Sequence, residues 1–247
     1  MNSFYLIKNL LEDMDKSDFL SGLSGTWNKV WSDNSSDNYA RFRLYKTVDK
    51  INKLSDRGID FKNKKVLDIG CGDGTTLMFL RRAFDIDGVG IDISESVISS
   101  FKEKVNDAKL NFFLGDHRDL RGIASDQFDI VLSFGVIEHF PEYCLALAES
   151  RRVLKPGGKL VLIQPHLFSF GVLQKYFLKA INKWKFGNQQ DFSFLYYRSI
   201  LKKTGFKDIE FFTSPPYKDM YITRFMDIAL KRLFSFWGHY LYLIAKK

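Results

Sequence analysis

The chain has 247 residues, of which 45% are hydrophobic and 27% are charged, and this composition excludes a disordered protein. Two cysteines, Cys71 and Cys144, are too few for a disulfide framework or a cysteine-rich zinc site and indicate a reducing compartment. The net charge of +8 is uneven, because residues 1–150 hold 19 basic and 24 acidic side chains whereas residues 151–247 hold 18 and 5. The basic part predicts an anionic partner or, equally well, a solvated lysine-rich surface.

The N-terminal residues lack the order of a targeting segment, since Lys8 interrupts the apolar stretch and acidic residues follow it. No uncharged apolar run reaches the ~20 residues that a membrane-spanning helix needs. We therefore expect a cytoplasmic protein, and peripheral contact with the inner membrane surface stays open as an alternative.

Strands and helices are predicted to alternate along the first two thirds of the chain. Buried strands are apolar runs bounded by glycine or aspartate, and helices have apolar residues at intervals of three and four. Such an alternation predicts a parallel sheet with helices on its faces. The predicted strands are 65–69, 88–91, 110–114, 128–134 and 159–164, and the predicted helices are 39–54, 75–84, 94–105 and 141–153.

The regular alternation of predicted strands and helices ends after residue 164. Residues 168–184 combine apolar positions with three lysines and predict a basic amphipathic helix. A helix over 194–204 and a strand over 206–212 follow. A second basic amphipathic helix is predicted over 220–236, before a last strand over 240–245.

The strongest chemical signal is the stretch VLDIGCGDG at residues 66–74, where a buried strand runs into a glycine-rich turn and a helix. Glycines let the backbone approach a ligand, and the helix N-terminus offers free N–H groups. The spacing G-x-G-x-G differs from the dinucleotide fingerprint, and the Asp73 carboxylate would repel a pyrophosphate. A cationic or zwitterionic ligand would not be repelled, which favours S-adenosylmethionine over NAD.

Two further aspartates follow predicted strands. Asp92 comes 22 positions after Gly70, where an acidic side chain can accept hydrogen bonds from ribose hydroxyls. Asp116 follows the next strand and could accept from an adenine amine. Alternatively, Asp92 caps a helix, and Asp116 is an ordinary loop residue with Asp119 nearby.

Five motifs in order make the sequence resemble the class I S-adenosylmethionine-dependent methyltransferases. They are VLDIGCGDG (66–74), GVGIDIS (88–94), GDHRDL (115–120), FDIVLSFGVIEHF (128–140) and RRVLKPGGKLVLI (151–163), and the resemblance covers roughly residues 40–165. It implies a Rossmann-like three-layer α/β sandwich with a seven-stranded, mostly parallel sheet whose last strand is antiparallel, with helical decorations. It also implies S-adenosylmethionine as cofactor, held by Asp68, Gly70, Gly72, Asp92, Ile93, Asp116, His117, Ser133 and Phe134.

The resemblance divides the chain into four regions. Residues 1–55 are expected to form an N-terminal helical cap, and residues 56–165 the cofactor-binding core. Residues 166–204 are expected to form acceptor-recognition or lid helices. Residues 205–247 complete the core with strands and an inserted amphipathic helix.

Glu138 and His139 follow the fourth strand, where family members place acceptor-binding groups. His139 is a candidate general base, since a histidine can take a proton from a hydroxyl near neutral pH, and Glu138 is its candidate partner. Alternatively, His139 caps a helix or lines the pocket. Gln164 and His166 are further candidate acceptor contacts. We predict no metal site, because no other ligand has a convincing spacing.

The predicted activity is methyl transfer to a small-molecule acceptor, most readily a hydroxyl oxygen of a glycan, lipid-linked or secondary-metabolite intermediate. Two alternatives are an RNA methyltransferase that uses the basic C-terminal part and a non-catalytic adapter with the same fold. The fourth strand ends in Ser133-Phe134-Gly135-Val136, without the proline pair of enzymes that methylate base amines, so we do not expect a nucleic-acid acceptor. The sequence does not specify the acceptor or the oligomeric state.

Overall fold

The structure of the protein is a computed structural model and describes residues 37–93, 98, 105–139, 142–183, 190–217 and 221–247. The chain divides into two compact units, residues 1–117 and 118–247. The predicted helix 94–105 lies, apart from residues 98 and 105, outside the described residues. Trp27 and Trp31, in the predicted N-terminal cap, lie outside them as well.

Strands and helices alternate as the sequence predicts. The strands are β1 (Lys65–Ile69), β2 (Asp87–Asp92), β3 (Leu110–Leu114), β4 (Phe128–Phe134), β5 (Leu154–Pro165), β6 (Lys207–Ser214) and β7 (Tyr240–Lys246). The helices are α1 (Asp37–Ser55), α2 (Thr75–Phe84), α3 (Tyr143–Val153), α4 (Phe170–Ala180), α5 (Phe194–Lys203) and α6 (Tyr221–Leu233), and a 3-10 turn covers Ile137–His139.

The seven strands form one sheet in the order β3-β2-β1-β4-β5-β7-β6. β1, β2 and β3 pair in parallel, and so do β4 and β5, whereas β7 is antiparallel to both β5 and β6. The chain therefore has the predicted Rossmann-like α/β fold, with a mostly parallel sheet into which the last strand of the chain is inserted antiparallel. Parallel pairing brings the carboxyl ends of neighbouring strands to one edge, where such sheets bind ligands.

In the first unit, a close approach between strands explains one glycine. Gly90 of β2 pairs with Asp68 of β1 and with Phe112 of β3. A Cβ atom at residue 90 would lie 2.6 Å from Phe112 Cδ1 and 2.9 Å from the Sγ atom of Cys71. Only a residue without a side chain fits here, so the Phe112 ring packs directly on the strand next to the glycine-rich turn.

In the second unit, β5 is longer than predicted. The sequence places a turn at residues 156–158 before a strand, but the strand begins at Leu154 and includes the Pro-Gly-Gly segment. Pairing with β4 jumps from Phe128↔Leu154 to Ile130↔Lys159, so the extra residues form an irregularity inside the ladder. Gly157 has a positive φ of 78°, which lets the chain bend without leaving the sheet.

The burial of α4 reverses the predicted amphipathic pattern. Val172 is buried, but Lys175 is buried too, and Leu173, Tyr176 and Phe177 are exposed. The lysine is buried because Asp191 forms an ion pair with it, and both side chains are only 2% exposed. Charge pairing, which helical periodicity cannot show, therefore decides which side of α4 faces inward.

None of the helices described is both long enough and apolar enough to cross a membrane.

Candidate functional site

The glycine-rich turn between β1 and α2 is held by backbone hydrogen bonds. The N–H groups of Gly70 and Cys71 both donate to the carbonyl oxygen of Ile91, at 2.8 and 3.0 Å, and Gly74 N–H donates to the carbonyl of Cys71 at 2.9 Å. Gly70 and Gly72 have φ values of 67° and 52°, in the left-handed region that favours glycine. The turn is thus anchored to β2 through its backbone.

Asp92, the last residue of β2, lies beside this turn. Its Oδ2 atom accepts a hydrogen bond from the N–H of Gly72 at 3.0 Å. The side chain is only partly buried and is oriented by that bond. The structure thus brings Gly72 and Asp92, two of the predicted cofactor residues, together. The role of Asp92 toward a ribose stays a prediction.

Asp68 is a buried carboxyl group in β1. Burial raises its pKa from 3.8 to about 7, Lys50 acts in the opposite direction, and the negative charge of Asp92 raises the pKa further. A carboxyl group held near its titration midpoint at neutral pH is stabilised as an anion by any cation that binds next to it. Lys50 lies on α1, and no motif in the sequence points to it.

Asp73 has partners that the sequence alone does not indicate. Its carboxylate forms an ion pair with Arg43 of α1, and its Oδ1 accepts a hydrogen bond from Thr75 N–H at 3.1 Å. The charge of Asp73 is therefore neutralised nearby and contributes less to repelling a pyrophosphate than the sequence alone suggests. Asp73 instead satisfies an N–H group at the start of α2, as an N-terminal cap does.

The two cysteines differ in their surroundings. Cys71 lies in the turn, where burial first, then Asp68 and Asp92, raise the pKa of its thiol. It is therefore a thiol at neutral pH and not a nucleophile. Cys144 of α3 is exposed, because the buried side of that helix is formed by Ala146, Leu147 and Val153.

Three more predicted cofactor residues follow β2 and β3. Ile93, directly after Asp92, is an exposed apolar side chain. Asp116 and His117 follow β3, with His117 Nδ1 4.0 Å from Asp116 Oδ1 and the imidazole buried. β1, β2 and β3 run in parallel, so these residues lie at the same sheet edge as the glycine-rich turn.

The residues of this edge fit S-adenosylmethionine. Its amine suits the anionic form of Asp68, its ribose hydroxyls suit Asp92, and the exposed Ile93 offers an apolar surface that suits an adenine. Thr75 Oγ1, at the first position of α2, is buried and has no hydrogen-bond partner among the described residues. A buried polar atom of this kind, at a helix N-terminus, is satisfied when a polar ligand binds there.

The second unit places the other predicted residues at the ends of β4 and β5. Ser133 is buried and Phe134 partly buried at the carboxyl end of β4, and Gly135 N–H donates to the carbonyl of Ile163 in β5 at 2.8 Å. The 3-10 turn follows at once. Glu138 is 2% exposed and His139 is 35% exposed, with His139 Nε2 3.9 Å from Glu138 Oε1.

Glu138 is held by polar contacts from two other segments. The Gln164 amide, oriented with its nitrogen toward Glu138, donates to Oε1 at 3.2 Å and also to Oε2. The N–H of Gln190 donates to the backbone carbonyl of Glu138 at 2.9 Å. The buried carboxyl group is therefore fixed, whereas its neighbour His139 reaches solvent.

Tyr197 of α5 belongs to the same surroundings, and no motif in the sequence identifies it. The ring is fully buried, and its hydroxyl has no hydrogen-bond partner among the described residues. Burial raises its pKa well above 10, and the charge of Glu138 adds to the effect. Phe192 packs edge-on against Tyr197, with ring centroids 5.4 Å apart, so the polar groups border an aromatic shell.

His166, the alternative acceptor contact, is a buried neutral imidazole. Burial lowers its pKa from 6.5 to about 4. Its ring packs edge-on against Phe168 at a centroid distance of 5.4 Å, and its backbone N–H donates to the carbonyl of His239 at 3.0 Å. A histidine with so low a pKa is a weak base, so His139 is the better candidate of the two. Within the described part of the chain, no group of three or more His, Cys, Asp or Glu side chains could hold a metal ion.

Comparisons with known proteins show similarity to methyltransferases. A family model described as a methyltransferase domain matches residues 67–162. Demethylmenaquinone methyltransferase of Staphylococcus carnosus (strain TM300) is 30% identical over 171 residues, which cover 60% of this chain and 70% of that protein. Ubiquinone/menaquinone biosynthesis C-methyltransferase of Dinoroseobacter shibae is 28% identical over 181 residues, covering 60% of this chain and 68% of that protein.

A solved structure shows the same fold. The SAM-dependent methyltransferase from Archaeoglobus fulgidus superposes with a TM-score of 0.61 at 22% identity, covering 79% of this chain and 91% of the other. The motifs, the sheet order and these matches lead to one conclusion: the chain belongs to the S-adenosylmethionine-dependent methyltransferase family, and S-adenosylmethionine is its cofactor.

Proposed function

We propose that this methyltransferase acts on a hydroxylated aromatic ring, such as a reduced quinone, and transfers the methyl group to a ring carbon. Two relatives are named for quinone methylation, and one of these names specifies carbon as the methylated atom. The expected hydroxyl-oxygen acceptor has no support from the relatives. The structural observation that carries the proposal is the buried Glu138 beside the partly exposed His139, next to an aromatic shell.

The chemistry of a phenolic ring explains why a base is needed. Loss of the hydroxyl proton delocalises negative charge onto the ring carbons, and the carbon next to the hydroxyl becomes the nucleophile. When bound, S-adenosylmethionine would supply a methyl group for a new bond to that ring carbon, and its positively charged sulfur would keep the electron pair of the broken carbon–sulfur bond. The proton of the methylated carbon then leaves to water, and the ring regains its aromaticity.

His139 is the proposed acceptor of the hydroxyl proton. Its Nε2 lies 3.9 Å from Glu138 Oε1, a distance at which the carboxylate can stabilise the imidazolium by charge after proton transfer. Gln164 holds Glu138 in place. Tyr197, with its neutral buried hydroxyl, is a proposed hydrogen-bond donor to the second oxygen of the acceptor.

We propose roles for the cofactor residues as well. Asp68 holds the amine, Asp92 the ribose hydroxyls, and Asp116, with His117, the adenine amine. Gly70 and Gly72 let the cofactor lie against the backbone, while Ile93 lines an apolar part of it. Residues 166–204 would then recognise the acceptor, since the N–H of Gln190 donates to the backbone carbonyl of Glu138.

The position of the new methyl group tests the proposal. The protein is incubated with S-adenosylmethionine labelled with ¹³C in the methyl group and with a reduced 2-prenyl-1,4-naphthoquinone, and the product is examined by NMR. Carbon-bound and oxygen-bound methyl groups have well-separated chemical shifts. We expect a carbon-bound label, and an oxygen-bound one would contradict the proposal.

Variants separate the base from its surroundings. We expect His139→Ala to lower kcat by about 10²- to 10⁴-fold with little change in the affinity for S-adenosylhomocysteine. Glu138→Gln should lower kcat less, and Glu142→Gln, an exposed carboxylate four residues further on, serves as the matched control. Unchanged turnover of His139→Ala would exclude the base role.

A further inference from the structure

The outer side of α4 is apolar, although the helix lies at the surface. Leu173, Tyr176 and Phe177 are 60%, 55% and 64% exposed, and Ile181 directly after the helix is exposed as well. These residues follow helical spacing and therefore share one face. Lys175, which would make the helix polar, is directed inward and forms an ion pair with Asp191.

A second helix, α6, shows the same arrangement. Phe225 and Leu233 are 75% and 74% exposed, Met226 is exposed, and Phe234 follows the helix as another exposed ring. The acidic residue of α6, Asp227, is fully buried. It accepts hydrogen bonds from Phe170 N–H of α4, at 3.1 Å, and from Trp237 Nε1, at 2.6 Å.

The two helices are in contact, and we name their exposed apolar and basic side chains together the aromatic–basic face. A group of large exposed apolar side chains on a globular domain marks an interaction site. The face consists of the apolar residues Leu173, Tyr176, Phe177, Ile181, Phe225, Met226, Leu233 and Phe234 and the basic residues Lys179, Lys183 and Arg232.

The charge of this part of the chain is one-sided. Between residues 154 and 207 the sequence contains one acidic residue, Asp191, and its side chain is buried in the ion pair. Helix α4 has no acidic residue, and that of α6 is buried. Lys183 and Arg232, by contrast, are exposed beside the apolar side chains.

We propose that the aromatic–basic face binds the surface of an anionic phospholipid bilayer. Apolar side chains that enter the headgroup region, with basic side chains at their margin, are the features that attach a helix to an acidic membrane. Charge distinguishes this partner from a second copy of the chain, since two copies of the face would bring like charges together. The inference is independent of the acceptor and of the proposed chemistry.

Flotation with lipid vesicles tests the proposal on the full-length protein. We expect the protein to float with vesicles of phosphatidylglycerol and phosphatidylcholine, and to stay behind with vesicles of phosphatidylcholine alone. Removing a basic residue, as in Lys183→Gln or Arg232→Gln, should weaken vesicle partitioning about fivefold each, the equivalent of ~1 kcal/mol per basic side chain. Phe177→Ser and Phe225→Ser should weaken it tenfold or more.

Matched controls distinguish effects on folding from effects on vesicle binding. Leu145→Ser changes an exposed leucine of α3, and Lys62→Gln an exposed lysine of the first unit, and both should bind vesicles like the wild type. All variants should have unchanged thermal unfolding, because their side chains are exposed. Equal partitioning onto neutral vesicles, or a dimer in sedimentation that Phe177→Ser dissociates, would overturn the proposal.

Discussion

The cofactor edge of the first unit and the Glu138 region of the second are built in different ways. The turn at residues 70–74 is held by backbone hydrogen bonds to one neighbouring strand, and its side-chain partner Asp92 is 20 positions away from Gly72. The Glu138 region depends on side chains from separate segments, among them Gln164 and Tyr197. A ligand site made of one backbone turn is visible as a motif, whereas a site made of distant side chains is not.

The two regions also differ in how a buried charged group is compensated. Near the turn, Asp68 lies in the core, where burial outweighs the opposing charge of Lys50 and raises the pKa of the carboxyl group to about 7. In the second unit, the buried Lys175 is compensated by the equally buried Asp191. If this contrast is right, removing a charge stabilises the first region and destabilises the second.

The largest effect is expected from breaking the ion pair. Lys175→Met leaves Asp191 as a buried carboxylate without its cation, and this should lower the free energy of unfolding by about 3–5 kcal/mol. Urea unfolding measures the change. Lys179→Met, one turn along the same helix and only partly buried, is the control and should change stability by less than about 1 kcal/mol.

A double variant tells whether the loss comes from the unpaired charge. Lys175→Met combined with Asp191→Leu removes both charges from the interior, and it should regain most of the stability that the single variant loses. If the double variant is as unstable as the sum of the single ones, packing and not charge would hold this region together.

Asp68→Asn should change the free energy of unfolding in the opposite direction. Because the pKa of Asp68 is raised, the unfolded chain releases its proton near pH 4 while the folded protein keeps it to about pH 7. The wild type therefore loses stability as the pH rises from about 4 to 7, by roughly 4 kcal/mol. Asparagine has no such proton, so Asp68→Asn should be more stable than the wild type at pH 8 and similar to it at pH 4.

Urea unfolding of both proteins at pH 4 and pH 8 measures this difference, and effects of other carboxylates cancel between them. Asp87→Asn, at an exposed aspartate of β2, is the control for the substitution itself. Higher stability of Asp68→Asn at pH 8, combined with weaker binding of S-adenosylhomocysteine, would indicate that Asp68 is retained for the cofactor. A constant difference across pH would contradict the raised pKa.

The sequence predicts the strands better than the contacts between side chains. The bounds of β1, β3 and β4 are found as predicted, because short apolar runs between turn residues define them. β5 is longer than predicted, because a bulge can keep Pro-Gly-Gly within a ladder. Burial of Lys175 and the Gln164–Glu138 contact were not predictable, since both depend on distances that only the folded chain sets.

A smaller effect is expected for Asp92→Ala. Asp92 orients the turn through Gly72 and is the proposed ribose ligand, so its loss should weaken S-adenosylhomocysteine binding by about 1–3 kcal/mol. Calorimetric titration gives the affinity. Asp85→Ala, an exposed aspartate just after α2, should bind like the wild type. An unchanged affinity for Asp92→Ala would reject the ribose assignment.

The smallest effects are expected at the two cysteines. Their test should leave stability and ligand binding unchanged. Cys144 is exposed, so a thiol reagent such as iodoacetamide should label it in the folded protein, and Cys144→Ser should abolish that label. Cys71 is buried, and its pKa is raised, so it should react only after unfolding. Mass spectrometry of the labelled peptides measures both rates. Rapid labelling of Cys71 in the native protein would mean that the turn opens readily, and that its backbone hydrogen bonds to Ile91 do not hold it as firmly as the contrast between the two regions requires.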